Sequence, residues 1–481
     1  MRVTLVHPAG SNWIPGRKDV TVAANRMVPT GLLCIAAYLE KFGHKAEIYD
    51  CLGPDAPESL RDRVSGILRT APEMVGFSTT TSAFLDAVET AECIKAERPD
   101  LKVVFGGVHV SSLGAELLEK YLCIDYLVLG EGEVTLTELA DGNSPESISG
   151  LAWRNGAECF QNPERIKIED LDTLPFPAYE KIPAFPHKYR LPPFSYERIP
   201  GASISTSRGC VYQCHYCDRS VFKRGFRYNS AEYTYEHFKW LRNRFGVRHV
   251  NIYDDLFTLN RDRVMALCEK LSRDPLGMQF NCAVRIGHTD DELLSTLKEA
   301  GCMMVSIGVE SGDPALLKTL KAGVTLEQVR ETVADIQRHK LRAKGLFMAG
   351  VIGETPESLQ RTSDFILSLG LDDMNLSKFT PFPGAPCYPD IRRHGTLNED
   401  WRQMNALNFV FVPSGFDTKE KLDNLYNIHV KRFYSSPEWR KKFRKRLWKH
   451  RHTMLHILRH LPEFLAAKRH FEPAAPTAAD K

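Results

Sequence analysis

The sequence predicts an α/β protein with two parallel sheets in series: an N-terminal doubly wound sheet, then a partial β/α barrel, then a helical C-terminal tail. Residues 1–140 alternate short Val/Ile/Leu-rich segments with helical patterns, which is typical of a parallel, doubly wound sheet. A second series of six strand–helix units runs from 203 to about 380. Six such units are enough for an open or closed parallel barrel.

The first series also indicates a ligand at one sheet edge. The polar or glycine-rich stretches "STTT", "GGVHVSS" and "GEGE" follow its third, fourth and fifth predicted strands. Ligands of such sheets bind at the carboxyl ends of the strands, and glycine lets the backbone approach them closely. A bound cofactor is one interpretation, and ordinary turn chemistry is the other. The predicted strands are 2–7, 45–50, 74–78, 102–107 and 125–130, with helices at 30–44 and 82–100.

A proline-rich stretch separates the two series and is predicted to be a linker, because proline resists both helix and central strand.

In the second series, chemistry is expected at the C-terminal ends of the strands. Strands are predicted at 202–207, 249–254, 279–284, 303–310, 344–352 and 373–379, with helices at 289–301 and 357–370. The predicted domains are 1–140, a linker at 141–200, a barrel at 201–390 and a basic helical region at 391–481.

Composition points to a cytoplasmic protein. The chain has no apolar run of about 18 residues, and the apolar stretch in "MRVTLVHPAG" is too short for a secretory signal. Thiols stay reduced in the cytoplasm, so a tight cysteine cluster there indicates metal or redox chemistry rather than disulfides.

The C-terminal tail is strongly basic although the whole chain carries a net charge of only +3. Residues 431–470 contain 13 Lys and Arg against two Glu. A helix docked on the barrel with a solvated basic face is one interpretation. An amphipathic helix that contacts anionic lipid is the other, and no fold signal indicates nucleic-acid binding.

Three of the twelve cysteines cluster in "SRGCVYQCHYCDRS", residues 207–220. Cys210, Cys214 and Cys217 follow the first strand of the second series, at the expected catalytic face. Three thiolates can hold three irons of a cubane cluster, which leaves the fourth iron open to chelation. Structural zinc, with His215 as the fourth ligand, is the competing interpretation. The other nine cysteines are scattered and are predicted to be packing residues.

The spacing CxxxCx(aromatic)C after a first barrel strand resembles the radical S-adenosylmethionine (SAM) superfamily. Five further stretches resemble the large branch of that superfamily that also binds cobalamin on an N-terminal doubly wound domain. They fall at the ends of the second to sixth strands: "YDDLFT" (253–258), "AVRIG" (283–287), "IGVESGD" (307–313), "GVIGETPES" (350–358) and "KFTPFPGAP" (378–386).

The resemblance implies roles for particular residues of this sequence. The three clustered cysteines would bind a [4Fe–4S] cluster, and Tyr216 would lie against the SAM adenine through its backbone. Arg285 and Glu310 would make polar contacts to SAM or substrate, and Val351 and Ile352 would flank adenine. The residues expected to line the cobalamin are Ser78, Thr79, Thr80, Gly106, Gly107, Val108, His109, Gly130 and Glu131, within a loop that extends to Glu133.

One departure concerns the lower face of the cobalt. The loop "VHPAGSNW" lacks the Asp-x-His-x-x-Gly pattern of proteins that ligate cobalt with histidine. His7 is therefore expected to be a strand-end residue, and the lower cobalt face to be empty or water-bound.

The activity implied is methylation of an unactivated carbon by a 5′-deoxyadenosyl radical enzyme that uses SAM, the cluster and cobalamin. The alternative in the same family is an oxidative cyclisation or another non-methylating rearrangement of a tetrapyrrole or lipid-like substrate. A non-catalytic cobalamin- or metal-sensing module is the alternative from another class. The expected partners are a small-molecule or lipid-like substrate, a one-electron donor such as flavodoxin or ferredoxin, and peripheral contact of the basic tail with a membrane.

Overall fold

The computed structural model describes residues 1–10, 26–57, 59–459 and 461. The end of the predicted helical tail, 462–481, and part of the loop after the first strand lie outside the described residues.

The N-terminal sheet has seven strands in the order β2-β1-β3-β4-β5-β6-β7. Its first five strands are parallel and are flanked by helices, as the alternating pattern predicts. The strands are β1 (Arg2–His7), β2 (Lys45–Asp50), β3 (Met74–Ser78), β4 (Lys102–Gly106), β5 (Tyr126–Val128), β6 (Leu151–Asn155) and β7 (Glu158–Gln161). The helices are α1 (Thr30–Lys41), α2 (Leu60–Arg69), α3 (Phe84–Glu97), α4 (Val108–Leu113), α5 (Glu116–Lys120) and α6 (Gly132–Asp141).

Strands β6 and β7 lie within the stretch 141–200 that the sequence predicts to be a linker. They form an antiparallel hairpin that extends the first sheet from β5. Between them lie Gly156, at φ +61°, and Ala157. Glycine at the first position of a two-residue loop is a hairpin signal, but each strand is too short to stand out beside the prolines that follow.

The second sheet is a parallel half-barrel of six strands in the order β15-β14-β13-β12-β11-β8. Two short antiparallel pairs, β9–β10 and β16–β17, lie beside it. The strands are β8 (Gly201–Ile204), β9 (Ser207–Arg208), β10 (Arg227–Tyr228), β11 (His249–Ile252), β12 (Gln279–Val284), β13 (Cys302–Glu310), β14 (Arg342–Ala349), β15 (Asp373–Lys378), β16 (Gly395–Leu397) and β17 (Phe411–Pro413).

Helices follow the strands of this half-barrel, and most begin at a polar residue whose side chain accepts a backbone N–H bond, which is why they start there. They are α7 (Ala231–Phe245), α8 (Arg261–Arg273), α9 (Asp291–Glu299), α10 (Pro314–Leu320), α11 (Leu326–Arg338) and α12 (Pro356–Ser368). The tail adds α13 (Lys419–Ser435), α14 (Pro437–Arg446) and α15 (Arg451–Arg459). The predicted fold class is therefore confirmed.

The linker packs between the two sheets. Tyr179 is fully buried in the same hydrophobic cluster as Leu33 of α1 and Ala202 of β8. Its hydroxyl donates to the carbonyl of Ser203 at 2.8 Å, and the amide of Ala178 donates to the carbonyl of Leu33 at 3.1 Å. The linker thus joins the N-terminal layer to the first strand of the half-barrel.

The C-terminal region also contacts the N-terminal sheet. The ring of Trp401 lies 4.4 Å from that of His109 and 5.7 Å from that of Phe84. Arg402 pairs with Glu89 of α3 at 2.6 Å. Two segments far apart in the chain therefore hold the N-terminal domain.

Helices α13 and α14 pack on the half-barrel through Phe433 and Trp439, which fits the docked interpretation of the basic tail. Beyond them, Trp448 is 78% exposed and Leu458 is 63% exposed. Among the described residues, no helix is both long enough and apolar enough to cross a bilayer.

Candidate functional site

The three clustered cysteines lie in one cavity at the C-terminal edge of the half-barrel. Cys210, Cys214 and Cys217 line a space of about 440 Å³, and all three thiols are free and partly exposed. Burial raises the pKa of the Cys217 thiol to about 12, and the neighbouring Cys214 adds to the shift. A loop that brings three thiols to one cavity, with no disulfide among them, fits the donor set of an iron–sulfur cluster.

Within the described residues, no group of three His, Cys, Asp or Glu side chains converges on the position of a single metal ion. A cubane cluster does not require such convergence, since each thiolate binds a different iron. Tetrahedral zinc would require it, with sulfurs about 2.3 Å from one ion.

The cysteine loop, which runs from β9 to β10, is held at its start and in its middle by specific contacts. Asp254, buried two residues after the end of β11, accepts bonds from Thr206 N and Oγ1, both at 2.5 Å, and from Ser207 N at 3.1 Å. On the other side, the amide of Cys387 donates to the carbonyl of His215 at 3.1 Å. These contacts fix the first residues of the loop and its middle before any cofactor binds.

Two of the predicted polar residues line the same cavity, Arg285 just after β12 and Glu310 at the end of β13. Arg285 lies 3.7 Å above the ring of Tyr212, and Glu310 accepts from Lys321 Nζ at 3.2 Å. Glu310 has φ +72° at the end of a strand with a register shift. A non-glycine residue in this left-handed region is uncommon and often marks a functional site.

Sequence reasoning missed three polar residues beside this cavity. Tyr212 lies inside the cysteine motif, and its position there was the available signal. Its hydroxyl is 2.7 Å from His288 Nε2. His288 and Lys321 come from loops after β12 and α10, where no pattern singled them out.

Tyr216, Val351 and Ile352 meet in one apolar cluster next to the cavity. Tyr216 lines the cavity, whereas Val351 is fully buried behind it. Burial and the nearby Glu310 carboxylate raise the pKa of Tyr216. The loop after β14 is held by buried Glu354, whose carboxylate accepts from Gly350 N; burial raises the pKa of Glu354 to about 8.

A second cavity, of about 380 Å³, lies at the C-terminal edge of the N-terminal sheet. Six glycines line it, which lets the backbone approach a large planar ligand closely. Gly107 has φ +98°, and a Cβ there would lie 2.6 Å from the carbonyl oxygen of Thr79, so only glycine fits. The predicted cobalamin residues that line it are Ser78, Thr79, Thr80, Gly106, Gly107, Val108, Gly130 and Glu131.

Two histidines near this cavity differ in placement. His109 was expected to line the cobalamin, but its side chain is fully buried between Thr81, Phe84 and Trp401 and does not reach the cavity wall. Burial lowers its pKa to about 3. His7 ends β1, as expected, and borders the cavity; its Nδ1 lies 2.8 Å from Asp50 Oδ1.

The two cavities adjoin. Val108 of the N-terminal domain and Val221 and Phe222 of the cysteine loop line both of them. Only a few side chains therefore separate the two cavities.

A buried ion-pair network joins the two loops at this junction. Arg208, two residues before Cys210, pairs with Glu131 and Glu133 at 2.5 Å each. Arg227 pairs with Glu131 at 2.8 Å. These two cations lower the pKa of Glu131 against the opposing effect of burial.

Comparisons with known proteins agree with this arrangement. The B12 binding domain family matches residues 16–140, and the Radical SAM superfamily matches residues 204–366. A protein of Pyrococcus horikoshii named an uncharacterized methyltransferase is 29% identical over 444 residues, covering 91% of this chain and 93% of its own. The anaerobic magnesium-protoporphyrin IX monomethyl ester cyclase of Rubrivivax gelatinosus is 25% identical over 455 residues, covering 90% and 77%.

The fold also matches a solved structure. The cobalamin-dependent S-adenosylmethionine radical enzyme OxsB, with aqua-cobalamin and SAM bound, superimposes with a TM-score of 0.70. The match covers 95% of this chain and 72% of that one at 17% identity. With two matched domains and two adjoining cavities, the chain belongs to the cobalamin-binding branch of the radical SAM superfamily, and its cofactors are a [4Fe–4S] cluster, SAM and cobalamin.

Proposed function

We propose that this enzyme is a cobalamin-dependent radical SAM C-methyltransferase that methylates an unactivated carbon of a small molecule. The observation that carries the proposal is the shared wall of Val108, Val221 and Phe222 between the two cavities. A carbon held at this wall can meet both cofactors without leaving the protein. The match with a relative named a methyltransferase over 91% of the chain supports the same activity.

When bound, the cluster and SAM supply a 5′-deoxyadenosyl radical that abstracts hydrogen, and cobalamin supplies the methyl group. Cys210, Cys214 and Cys217 would hold three irons. Glu310 and Arg285 are placed to bind polar groups of SAM or substrate. In the N-terminal cavity, the backbone at Gly106 and Gly107 would lie against the corrin.

The other residues around the cysteine cavity would position SAM and the substrate and would take no part in bond breaking. The backbone of Tyr216 and the apolar side chains of Val351 and Ile352 would flank the adenine. Lys321 neutralises Glu310 and fixes its direction. The apolar wall of Val221 and Phe222 would keep water from the reacting carbon.

The products distinguish methyl transfer from the cyclase alternative. On anaerobic reduction with SAM, the cobalamin-loaded protein should release both 5′-deoxyadenosine and S-adenosylhomocysteine. The matched control is the same protein loaded with cluster but not cobalamin, which should release 5′-deoxyadenosine alone. If loaded protein forms 5′-deoxyadenosine without S-adenosylhomocysteine, the cyclisation-type reaction is favoured. If the loaded protein does not cleave SAM at all, both the methyl-transfer and the cyclisation hypotheses are contradicted, and a non-catalytic sensing module is favoured.

As a radical SAM enzyme, the protein requires a one-electron donor and a small-molecule substrate. For the donor we propose a flavodoxin or a ferredoxin. We further propose that the substrate is lipid-like and that the tail contacts an anionic membrane surface. The described tail supports this contact because exposed Trp448, Leu455 and Leu458 alternate with basic residues, a pattern typical of interfacial helices.

Replacing Trp448, Leu455 and Leu458 together by serine should reduce sedimentation with phosphatidylglycerol vesicles by about tenfold, because the apolar area that enters the interface is lost. The matched control replaces Leu122 and Ile166 by serine, which are 77% and 87% exposed but lie outside the tail. Equal sedimentation of the two variants would remove the membrane contact from the proposal.

A further inference from the structure

A large, positively charged cavity lies at the opposite end of the half-barrel from the cysteines. It encloses about 570 Å³ between the first residues of β12, β13 and β14 and the tail helix α14. The strands are parallel, so the nine residues of β13 separate this cavity from Glu310 by about 25 Å. We refer to this space, which includes Cys302, Arg342 and Arg446 in its wall, as the basal cavity.

The wall of the basal cavity has an excess of positive charge. Seven of its lining side chains are Lys or Arg, and two are Asp or Glu. Asp372 pairs closely with Arg446 and lies 3.9 Å from Lys442. Glu197 pairs with Lys449 at 3.3 Å. These two carboxylates therefore lie within ion-pair distance of the three tail cations in the wall, which are Lys442, Arg446 and Lys449.

Among the described residues, the other four cations of the cavity wall form no direct ion pair. Lys298 donates to the carbonyl of Lys340 at 2.9 Å, and Arg342 donates to the carbonyl of Phe194 at 3.0 Å. A carbonyl satisfies a donor but does not cancel its charge. Within the described part of the chain, none of the four has a carboxylate within 4.0 Å; they are Arg198, Lys298, Lys340 and Arg342.

Arg342 makes this arrangement costly for the empty protein. It is only 8% exposed, and its Nε is buried with no partner among the described residues. Burial and the neighbouring Arg446 lower its pKa, and the more distant carboxylates of Asp373, Asp372 and Glu197 offset this only in part. A buried cation beside a like charge is destabilising unless an anion binds there.

We propose that the basal cavity binds a multiply charged phosphate group, either the di- or triphosphate of a small molecule or the phosphate headgroup of a lipid. A guanidinium group can donate two parallel hydrogen bonds to two oxygens of one phosphate. Three arginines line the cavity: Arg198, Arg342 and Arg446. Its volume is within the range of small-ligand sites. This site is separate from the cofactor cavities and does not depend on the proposed methyl transfer.

Calorimetric titration of the cofactor-loaded protein with tripolyphosphate, at constant ionic strength, tests the proposal. We expect saturable binding of one tripolyphosphate per chain. Lys442→Gln with Arg446→Gln should weaken it by at least about tenfold, because two charge-assisted contacts are lost. The matched control is Lys441→Gln with Lys445→Gln, which removes two exposed charges of α14 that do not line the cavity; it should weaken binding by no more than about twofold.

Arg446 also supports Asp372, so its loss can disturb the fold. Lys298→Gln leaves Asp372 and its partners intact and should still weaken tripolyphosphate binding. Absence of saturable binding, or equal weakening in cavity and control variants, would overturn the proposal. Competition with vesicles that contain phosphatidic acid identifies the source of the bound phosphate. If tripolyphosphate displaces the protein from these vesicles, the cavity binds the lipid headgroup. If tripolyphosphate does not change vesicle binding, the cavity binds the phosphate of a soluble molecule.

Discussion

Cys214→Ala protein is expected to lose SAM cleavage by about a thousandfold or more while it keeps cobalamin. The substitution removes one of three thiolates from the loop that lines the 440 Å³ cavity, and a cluster with two protein ligands is not retained. Cobalamin binding should persist because the N-terminal cavity is lined mainly by its own domain. Iron analysis, corrinoid absorbance and 5′-deoxyadenosine measurement after anaerobic reduction give the three readouts.

The matched control for this experiment is Cys159→Ala. Cys159 is also free and partly exposed, but it lies on β7 at the edge of the N-terminal sheet, so iron content and SAM cleavage should remain at wild-type levels. Wild-type cleavage by Cys214→Ala, or one tetrahedral zinc per chain in place of iron, would refute the assignment of the cysteine loop.

Arg208→Met should lower the free energy of unfolding by about 3–5 kcal/mol, because it leaves the carboxylate of Glu133 buried without a cation and leaves Glu131 only its pair with Arg227. The pH dependence follows from Glu131, whose pKa in the folded protein is lowered from 4.5. Its stabilising contribution is complete above pH 4.5 and is lost as the pH falls through the lowered folded pKa. The difference between wild type and variant should therefore shrink toward pH 4. Guanidinium denaturation at pH 7 and pH 4 measures it.

The control for Arg208 is Arg98→Met. Arg98 pairs with Asp100 at 2.9 Å, but the two side chains are 49% and 71% exposed, and such solvent-screened surface pairs contribute little to stability. If both variants lose the same stability, the ion pairs at the domain junction are not the source of the effect.

The sequence predicted those parts of the fold that depend on local pattern. Runs such as "VTLVH" and "MMVSIGVE" are buried on both faces in parallel strands, so their composition alone identifies them. The β6–β7 hairpin was missed because its strands are short and because β7 is mostly exposed. The cysteine loop was found because its chemistry is contained within eight consecutive residues.

Features built from distant segments could not be predicted in this way. Arg208 and Glu133 are 75 residues apart, and no local pattern indicates that they pair. His109 follows a Gly-Gly turn at the correct edge, but Trp401, nearly three hundred positions later in the chain, covers it. The basal cavity likewise forms only when the tail closes over the first residues of the strands.

The double attachment of the N-terminal domain has a kinetic consequence. A domain tethered at one point can swing away on a hinge, whereas this one is fastened by Tyr179 on one side and by Trp401 on the other. A corrinoid would then have to enter by local opening of loops rather than by wholesale separation. We therefore expect it to exchange slowly with free corrinoid and to stay with the same polypeptide over many turnovers.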